Sequence, residues 1–321
     1  IYGRRTVLAE IEEGLRGWYY GMYLLCLCGL MGIVITGDAF NAFVFMEVSS
    51  LSMYVLIALG RDKRALAASF QYLIMGTIGA TMYVIGVGLL YTQTGTLNMI
   101  DLGERLVPVL TSPATVAGMA FIIVGLSLKL ALFPLHLWLP NAYAYAPSAA
   151  TAFLAATATK ASVYLLARYL YTVFGFEFAI LGTSVPEIIM VVSIAAMFSG
   201  SFIAMFQDNV KRMLAYSSVA QVGYITLGFS LASLDGLTGS LVHIFNHAMM
   251  KGALFMLVGG IALQLGSVRL KDMAGIGRVM PVTMAGFVVA GASMLGVPGT
   301  VGFVSKWYLV QAAIESDLWP V

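Results

Sequence analysis

Charge is the scarcest property of this sequence. Only 10% of its 321 residues are Asp, Glu, Lys or Arg, against about 25% in soluble domains. Sixty per cent are hydrophobic, and the mean hydropathy is +0.92. That composition excludes a soluble domain. Cysteine is nearly absent. Cys26 and Cys28 lie in one apolar run and point to different helix faces, so they read as small core residues, with no disulfide framework and no resident metal. No nucleotide motif, haem pair or cysteine cluster is present, so the chain carries no redox centre or cofactor of its own. No basic run points to nucleic acid, and the net charge of +2 adds none. There is neither an initiator Met nor a signal peptide. The chain reads as a piece of a longer protein, truncated at both ends.

What the sequence has in abundance is apolar runs of about 20 residues, the length that crosses a bilayer. Nine such passes are expected, near 16–36, 39–59, 66–91, 116–138, 148–172, 184–206, 212–232, 240–264 and 281–317. Thirty-four glycines suit close helix packing in lipid. The last pass is too long for one straight crossing, and "GVPGTVGF" (296–303) breaks it; the fourth runs into "FPLHLWLP" (133–140). Nine passes place Arg4, Arg5, Arg16, Arg61, Lys63, Arg64, Lys211, Arg212, Arg269, Lys271 and Arg278 on one side and only Arg105 and Arg168 on the other. That bias makes the first side cytoplasmic.

The remaining basic residues, Lys129, Lys160, Lys251 and Lys306, fall inside passes, as does Glu47. A lone charge at the bilayer centre costs about 3 kcal/mol on insertion scales. Four lysines face one clear acid, so most cannot be held by ion pairs. They must be solvated by internal water or give up their charge, and a lysine that releases a proton can take one back. In "HIFNHAMMK", His243, His247 and Lys251 recur every four residues and share one helix face. The histidine pair has no third ligand at metal-binding spacing. His136, between two prolines, suits a freed carbonyl or the relay equally. Asp38 is expected to cap the following helix. Arg168 is expected to reach headgroups, and Asp208, Lys211 and Arg212 to form an interfacial cluster. Ser217, Ser218 and Gln221 are expected to hydrogen-bond between helices. Glu177, Glu187, Asp235, Glu315 and Asp317 read as solvated.

Five passes up to residue 172 and four after 184 suggest two halves, 14–172 and 184–321, the second inverted and incomplete. The expected fold is therefore an all-α integral membrane protein, one polytopic domain over 1–321. It is a helical bundle of two inverted five-helix repeats with broken helices.

Six ordered stretches, "TGDAFNAFVFMEVSSLSMYVL", "LSLKLALFPLHLWLPNAY", "ATATKASVYLLARY", "DNVKRMLAYSSVAQVGY", "HIFNHAMMKGALF" and "GVPGTVGFVSKW", carry a resemblance. Together they resemble the antiporter-like subunits shared by respiratory complex I, membrane-bound hydrogenases and Mrp cation/proton antiporters. "TGDAFNAFVFMEV" and "GTLNM" look closest to the Mrp D-type subunit. The resemblance implies that Glu47 modulates Lys129 on a broken helix and that Lys160 follows. It makes His243, His247 and Lys251 the central connection, and Lys306, on a second broken helix, the outer half-channel. It implies further helices before residue 1 and after Val321, partner membrane subunits in a hetero-oligomeric complex, protons or sodium as the transported ions, and a prokaryotic plasma membrane. Asn141-Ala142-Tyr143 departs from the Asp-Ala-His of many complex I subunits, which leans toward the Mrp type and leaves the route near His136 open. Proton translocation in an antiporter leads. A redox-driven pump, hydrogenase or quinone reductase comes second, a non-transporting scaffold third, and a stand-alone permease a distant fourth.

Overall fold

The computed structural model describes residues 3–316, so the expectation for Asp317 lies outside the described residues. Among them the chain is helical throughout: α1 (Gly3–Glu10), α2 (Arg16–Ile35), α3 (Ala39–Ala58), α4 (Arg64–Thr94), α5 (Met99–Leu106), α6 (Pro113–Leu130), α7 (Trp138–Tyr145), α8 (Ser148–Arg168), α9 (Val185–Met205), α10 (Val210–Ser230), α11 (Leu234–Leu265), α12 (Ile276–Val279), α13 (Pro281–Leu295) and α14 (Val301–Glu315). Among the described residues seven helices are long and apolar enough to cross a membrane: α2, α3, α4, α6, α8, α9 and α11. Two further passes were expected. One is α10, equally long but carrying Lys211, Arg212 and a run of Ser and Gln. The other is α13 with α14, which are two half-helices. The chain is an integral multi-pass membrane protein. Leu24, Ile35, Phe198 and Val282 are among the large apolar side chains left exposed on its flanks, as lipid-facing residues are.

Local chemistry sets the helix ends. Asp38 caps α3 as expected, accepting from Asn41 N at 2.7 Å. Asn209 caps α10 in the same way, accepting from Arg212 N at 3.1 Å. Each cap lies in a short antiparallel bridge, Asp38 with Asn98 and Asn209 with Arg269. Flanking backbone bonds repeat too. Ala39 N meets Leu97 O and Met99 N meets Gly37 O; Val210 N meets Val268 O and Leu270 N meets Asp208 O. Every residue of the second set lies 171 positions after its counterpart. Gly95 and Gly266, which end α4 and α11 in the left-handed conformation, keep that offset.

Both expected breaks are present. The fourth pass stops earlier than the hydropathy suggested, because Ala131 turns left-handed (φ 60°) directly after Leu130. A loop through Pro134 then leads into α7, whose first turn carries Pro140. Trp138 Nε1 returns to donate to the freed Leu128 carbonyl at 3.0 Å. In the ninth pass Gly296 (φ 89°) ends α13, and α14 begins at Val301. Each break leaves a helix C-terminus with its partial negative charge, buried at the end of α6 and partly exposed at the end of α13.

α4 and α6 pack backbone to backbone. A Cβ on Gly125 would stand 2.6 Å from Gly79 O, and one on Gly86 would stand 2.7 Å from Gly118 O. The two glycines are seven apart on each helix, so the contact repeats along one stripe.

Candidate functional site

Each expected lysine lies beside a carbonyl or hydroxyl, Lys129, Lys160 and Lys251 buried and Lys306 half-buried, and the breaks supply two of the settings. Lys129 is the penultimate residue of α6. Its Nζ donates to Ser50 Oγ at 2.7 Å and to Glu47 Oε1 at 3.3 Å, both on α3. This is the only ion pair among the described residues of the apolar region. Lys306, on α14, donates to Met294 O at 3.0 Å and Leu295 O at 3.3 Å, the orphaned carbonyls that end α13. Its ammonium also sits 4.4 Å above the Tyr224 ring.

Between these ends, α10 and α11 lie antiparallel and match polar group to polar group. Lys251 is fully buried and donates to Leu214 O at 2.6 Å and to the Ser217 hydroxyl. His243 holds Gln221 Oε1 at 2.8 Å through Nε2 and Ser305 Oγ at 2.7 Å through Nδ1. The His247 ring lies 6.1 Å from that of His243, nearly parallel at 12°, and neither of its nitrogens has a hydrogen-bond partner among the described residues. Lys160 is buried on α8, where its Nζ donates to the Ala155 carbonyl. Lys160 lies within electrostatic reach of His243, His247 and Lys251, and Lys306 of His243.

The structure therefore gathers Lys160, His243, His247, Lys251 and Lys306 into one neighbourhood. The Glu47–Lys129 pair stands apart, with no direct hydrogen bond to Lys160 among the described residues. His136 is buried between Phe133 and Tyr216, and its Nδ1 makes no hydrogen bond among the described residues. The Leu128 carbonyl is taken by Trp138, and His136 lies beside the backbone of Pro134.

The His243 environment can record a proton. The carbonyl oxygen of Gln221 only accepts, so Nε2 carries a hydrogen. A neutral ring then accepts at Nδ1 from the Ser305 hydroxyl. That hydroxyl also lies 3.2 Å from Gly302 O. When it donates there, Nδ1 must carry its own hydrogen and the ring is an imidazolium. One hydroxyl rotation distinguishes the two states.

Three expectations need correction. Lys211 is buried rather than interfacial, because α10 starts beneath the N-terminus of α8 and its Nζ donates to Ala146 O at 3.3 Å. Arg168 turns inward and donates to Thr36 O at 2.6 Å. Ser218 bonds within its own helix, to Leu214 O. Ser217 and Gln221 do bridge helices, and they reach the site itself. The sequence pattern did not single out Ser50, Tyr224 or Ser305 as partners. A signal for Tyr224 was present, since 217, 221 and 224 form one stripe along α10. Ser50 and Ser305 had none, being single hydroxyls in apolar helices. Cys26 is a buried core residue as expected, whereas Cys28, on a different face of α2, is exposed and not part of the core.

Comparisons with known proteins identify the family and the fold. The family described as NADH:quinone oxidoreductase/Mrp antiporter, TM, matches residues 36–321. The chain is 46% identical to the N-type NADH-quinone oxidoreductase subunit of Desulforudis audaxviator, over 95% of this chain and 60% of that protein. It is 33% identical to the D-type Na(+)/H(+) antiporter subunit of Alkalihalophilus pseudofirmus, over 99% of this chain and 63% of that protein. The choice between these two kinds of relative does not rest on Asn141-Ala142-Tyr143. Among solved structures, a chain of the membrane-bound sulfane sulfur reductase, an archaeal respiratory membrane complex, superposes with a TM-score of 0.86 at 36% identity. That match covers 94% of this chain and 61% of the other. The chain thus spans about 60% of the length of the curated relatives it matches.

Proposed function

Because the chain belongs to the NADH:quinone oxidoreductase/Mrp antiporter transmembrane family, we propose that it is a proton-translocating membrane subunit of a multisubunit complex. Protonation steps between Glu47–Lys129, Lys160, the His243–His247–Lys251 face and Lys306. One observation carries this reading. Of the four lysines expected in the relay, only Lys129 has a carboxylate partner among the described residues; Lys160, Lys251 and Lys306 bond to neutral oxygens alone. A neutral oxygen holds either form of a lysine, so these groups are suited to exchange protons. A purely structural scaffold has no use for two buried lysines, Lys160 and Lys251, and a half-buried third, Lys306, without carboxylate partners.

The constant 171-residue offset supports reading 14–172 and 184–321 as inverted repeats. In that arrangement the two broken passes, with Lys129 and Lys306 at their interruptions, are counterparts. The same relatives support partner membrane subunits and a prokaryotic plasma membrane.

The second reading, a redox-driven pump instead of a cation/proton antiporter, is favoured by the 46% identity to the NADH-quinone oxidoreductase subunit against 33% to the antiporter subunit. The relay is common to both. The test replaces Lys129 or Lys306 by Ala in the assembled complex, in vesicles, and follows the pH change driven by a sodium gradient or by electron donor. Loss of the pH change is expected for both variants. Wild-type transport with either would end the relay. The driving force that the unmodified complex requires decides between the two readings.

A further inference from the structure

A polar cavity of about 490 Å³ lies where the α3–α4 turn, the α9–α10 turn, the residues after α11 and the N-terminus of α8 meet. Glu10, Arg61, Asp62, Arg64, Lys211 and Arg269 are its ionisable walls. Every basic one belongs to the set that the sequence places on the cytoplasmic side. The carboxylates are already engaged. Asp62 holds Arg64 at 2.6 Å, and the hydrogen bonds from Arg64 keep its carboxyl below the usual carboxylate range. Glu10 accepts from Ser148 N and Ser148 Oγ, both at 2.6 Å. It thereby stands in for the cap that Pro147 cannot give α8.

Lys211 is different. It is only 6% exposed, yet it lines the cavity, and its one hydrogen bond among the described residues is the 3.3 Å contact to Ala146 O. No carboxylate lies within ion-pair distance among the described residues. Further along α10, the Leu214 carbonyl, about 4.5 Å of rise away, and the Ser217 hydroxyl, about 9 Å away, hold Lys251.

We infer that this cavity is the vestibule through which the relay exchanges protons with the basic-rich side, with Lys211 as its innermost titratable group. The inference rests on Lys251 belonging to the relay. Lys211 Nζ takes a proton from water in the cavity and becomes an ammonium. It returns to the amine by releasing that proton to cavity water, which carries it along α10 to the Ser217 hydroxyl; Ser217 passes its own proton to the neutral Lys251 amine. Glu10, facing Lys211 from α1, stabilises the charged form.

The test uses the assembled complex in vesicles with the basic-rich side outward, in a Cys26→Ala/Cys28→Ala background. Lys211→Cys is modified by a small membrane-impermeant thiol reagent added outside. No modification, or modification only from the lumen, overturns the proposal. Lys211→Met lowers transport at least about tenfold. Lys211→Arg keeps charge and hydrogen bond but cannot release a proton; it fails equally, while Lys211→His restores part of the rate with an altered pH profile. Wild-type transport by the arginine variant shows a structural role and overturns the proposal. If the Lys211 variants do not assemble, Ser267→Cys on the cavity wall is compared before and after modification with a bulky reagent. Loss of transport supports the vestibule, and an unchanged rate after full modification overturns it. Normal transport by Lys129→Ala and Lys306→Ala would sink the relay itself. A working relay with an inaccessible Lys211 sinks only this vestibule.

Discussion

The Glu47–Lys129 pair is a switch only if its charge matters more than its shape. Two unit charges 3.3 Å apart couple by on the order of 5 kcal/mol at an effective dielectric of about 20. Glu47→Gln keeps the volume and a hydrogen-bond acceptor and removes that coupling. Transport in vesicles should fall by about tenfold or more while the amount of assembled complex stays constant. An unchanged rate would make the pair structural. His243 gives a second residue-level prediction. Gln221→Leu strands a buried Nε2–H, which costs about 1–3 kcal/mol, and it removes the fixed tautomer. The variant should unfold at lower temperature in a scan of the purified complex and transport more slowly; Gln221→Glu, which restores the acceptor, should recover stability. At this scale the sequence exposed the titratable groups themselves, because a lysine in an apolar run is visible without a fold. It hid their neutral partners. A serine or a carbonyl becomes part of the site only when another helix arrives beside it, as Ser305 does at His243 and Leu214 O at Lys251. It also hid the burial of Lys211, whose position two residues into α10 reads as interfacial until α8 is laid over it.

Helices position these groups only as well as they pack. Lys129 is carried by the last turn of α6, and α6 is set against α4 by the Gly79–Gly125 and Gly86–Gly118 approaches. Gly125→Val has no room, because even a Cβ would stand 2.8 Å from Tyr83 N as well as 2.6 Å from Gly79 O. The two helices must separate, shifting Lys129 relative to Glu47. A loss of about 1–3 kcal/mol is expected from overpacking, seen as less assembled complex and slower transport. Gly88→Ala, on the same α4 but facing open space, should match the wild type. Equal behaviour of the two variants would show that the stripe does not position the lysine. The glycine count was plain in the sequence, and the Pro/Gly breaks after α6 and α13 followed from backbone chemistry. Which glycine meets which carbonyl was not legible, because it depends on the register of two helices 46 positions apart at Gly79 and Gly125. The early end of α6 at Ala131 was also hidden, since alanine carries no warning of a left-handed turn.

Across the whole molecule, the orientation of the two halves is the feature on which the proposed relay depends. The caps Asp38 and Asn209, their bridges, and the glycines 95 and 266 recur at one spacing, so the same local structure is built twice. Five passes separate the segment after the first bridge from the segment after the second: α6 with α7, α8, α9, α10 and α11. An odd number places the two bridges on opposite faces. The basic residues argue the same way, since Arg105 follows one bridge while Lys271 and Arg278 follow the other. Glu104 and Lys271 are both exposed and stand away from the lysine line, so cysteine there reads orientation without touching transport chemistry. In the Cys26→Ala/Cys28→Ala background, Glu104→Cys and Lys271→Cys should react with an impermeant thiol reagent from opposite sides of sealed vesicles. Reaction of both from one side would require an even number of crossings. The second half would then be parallel to the first, and Lys129 and Lys306 could not serve as counterparts at opposite ends of the line.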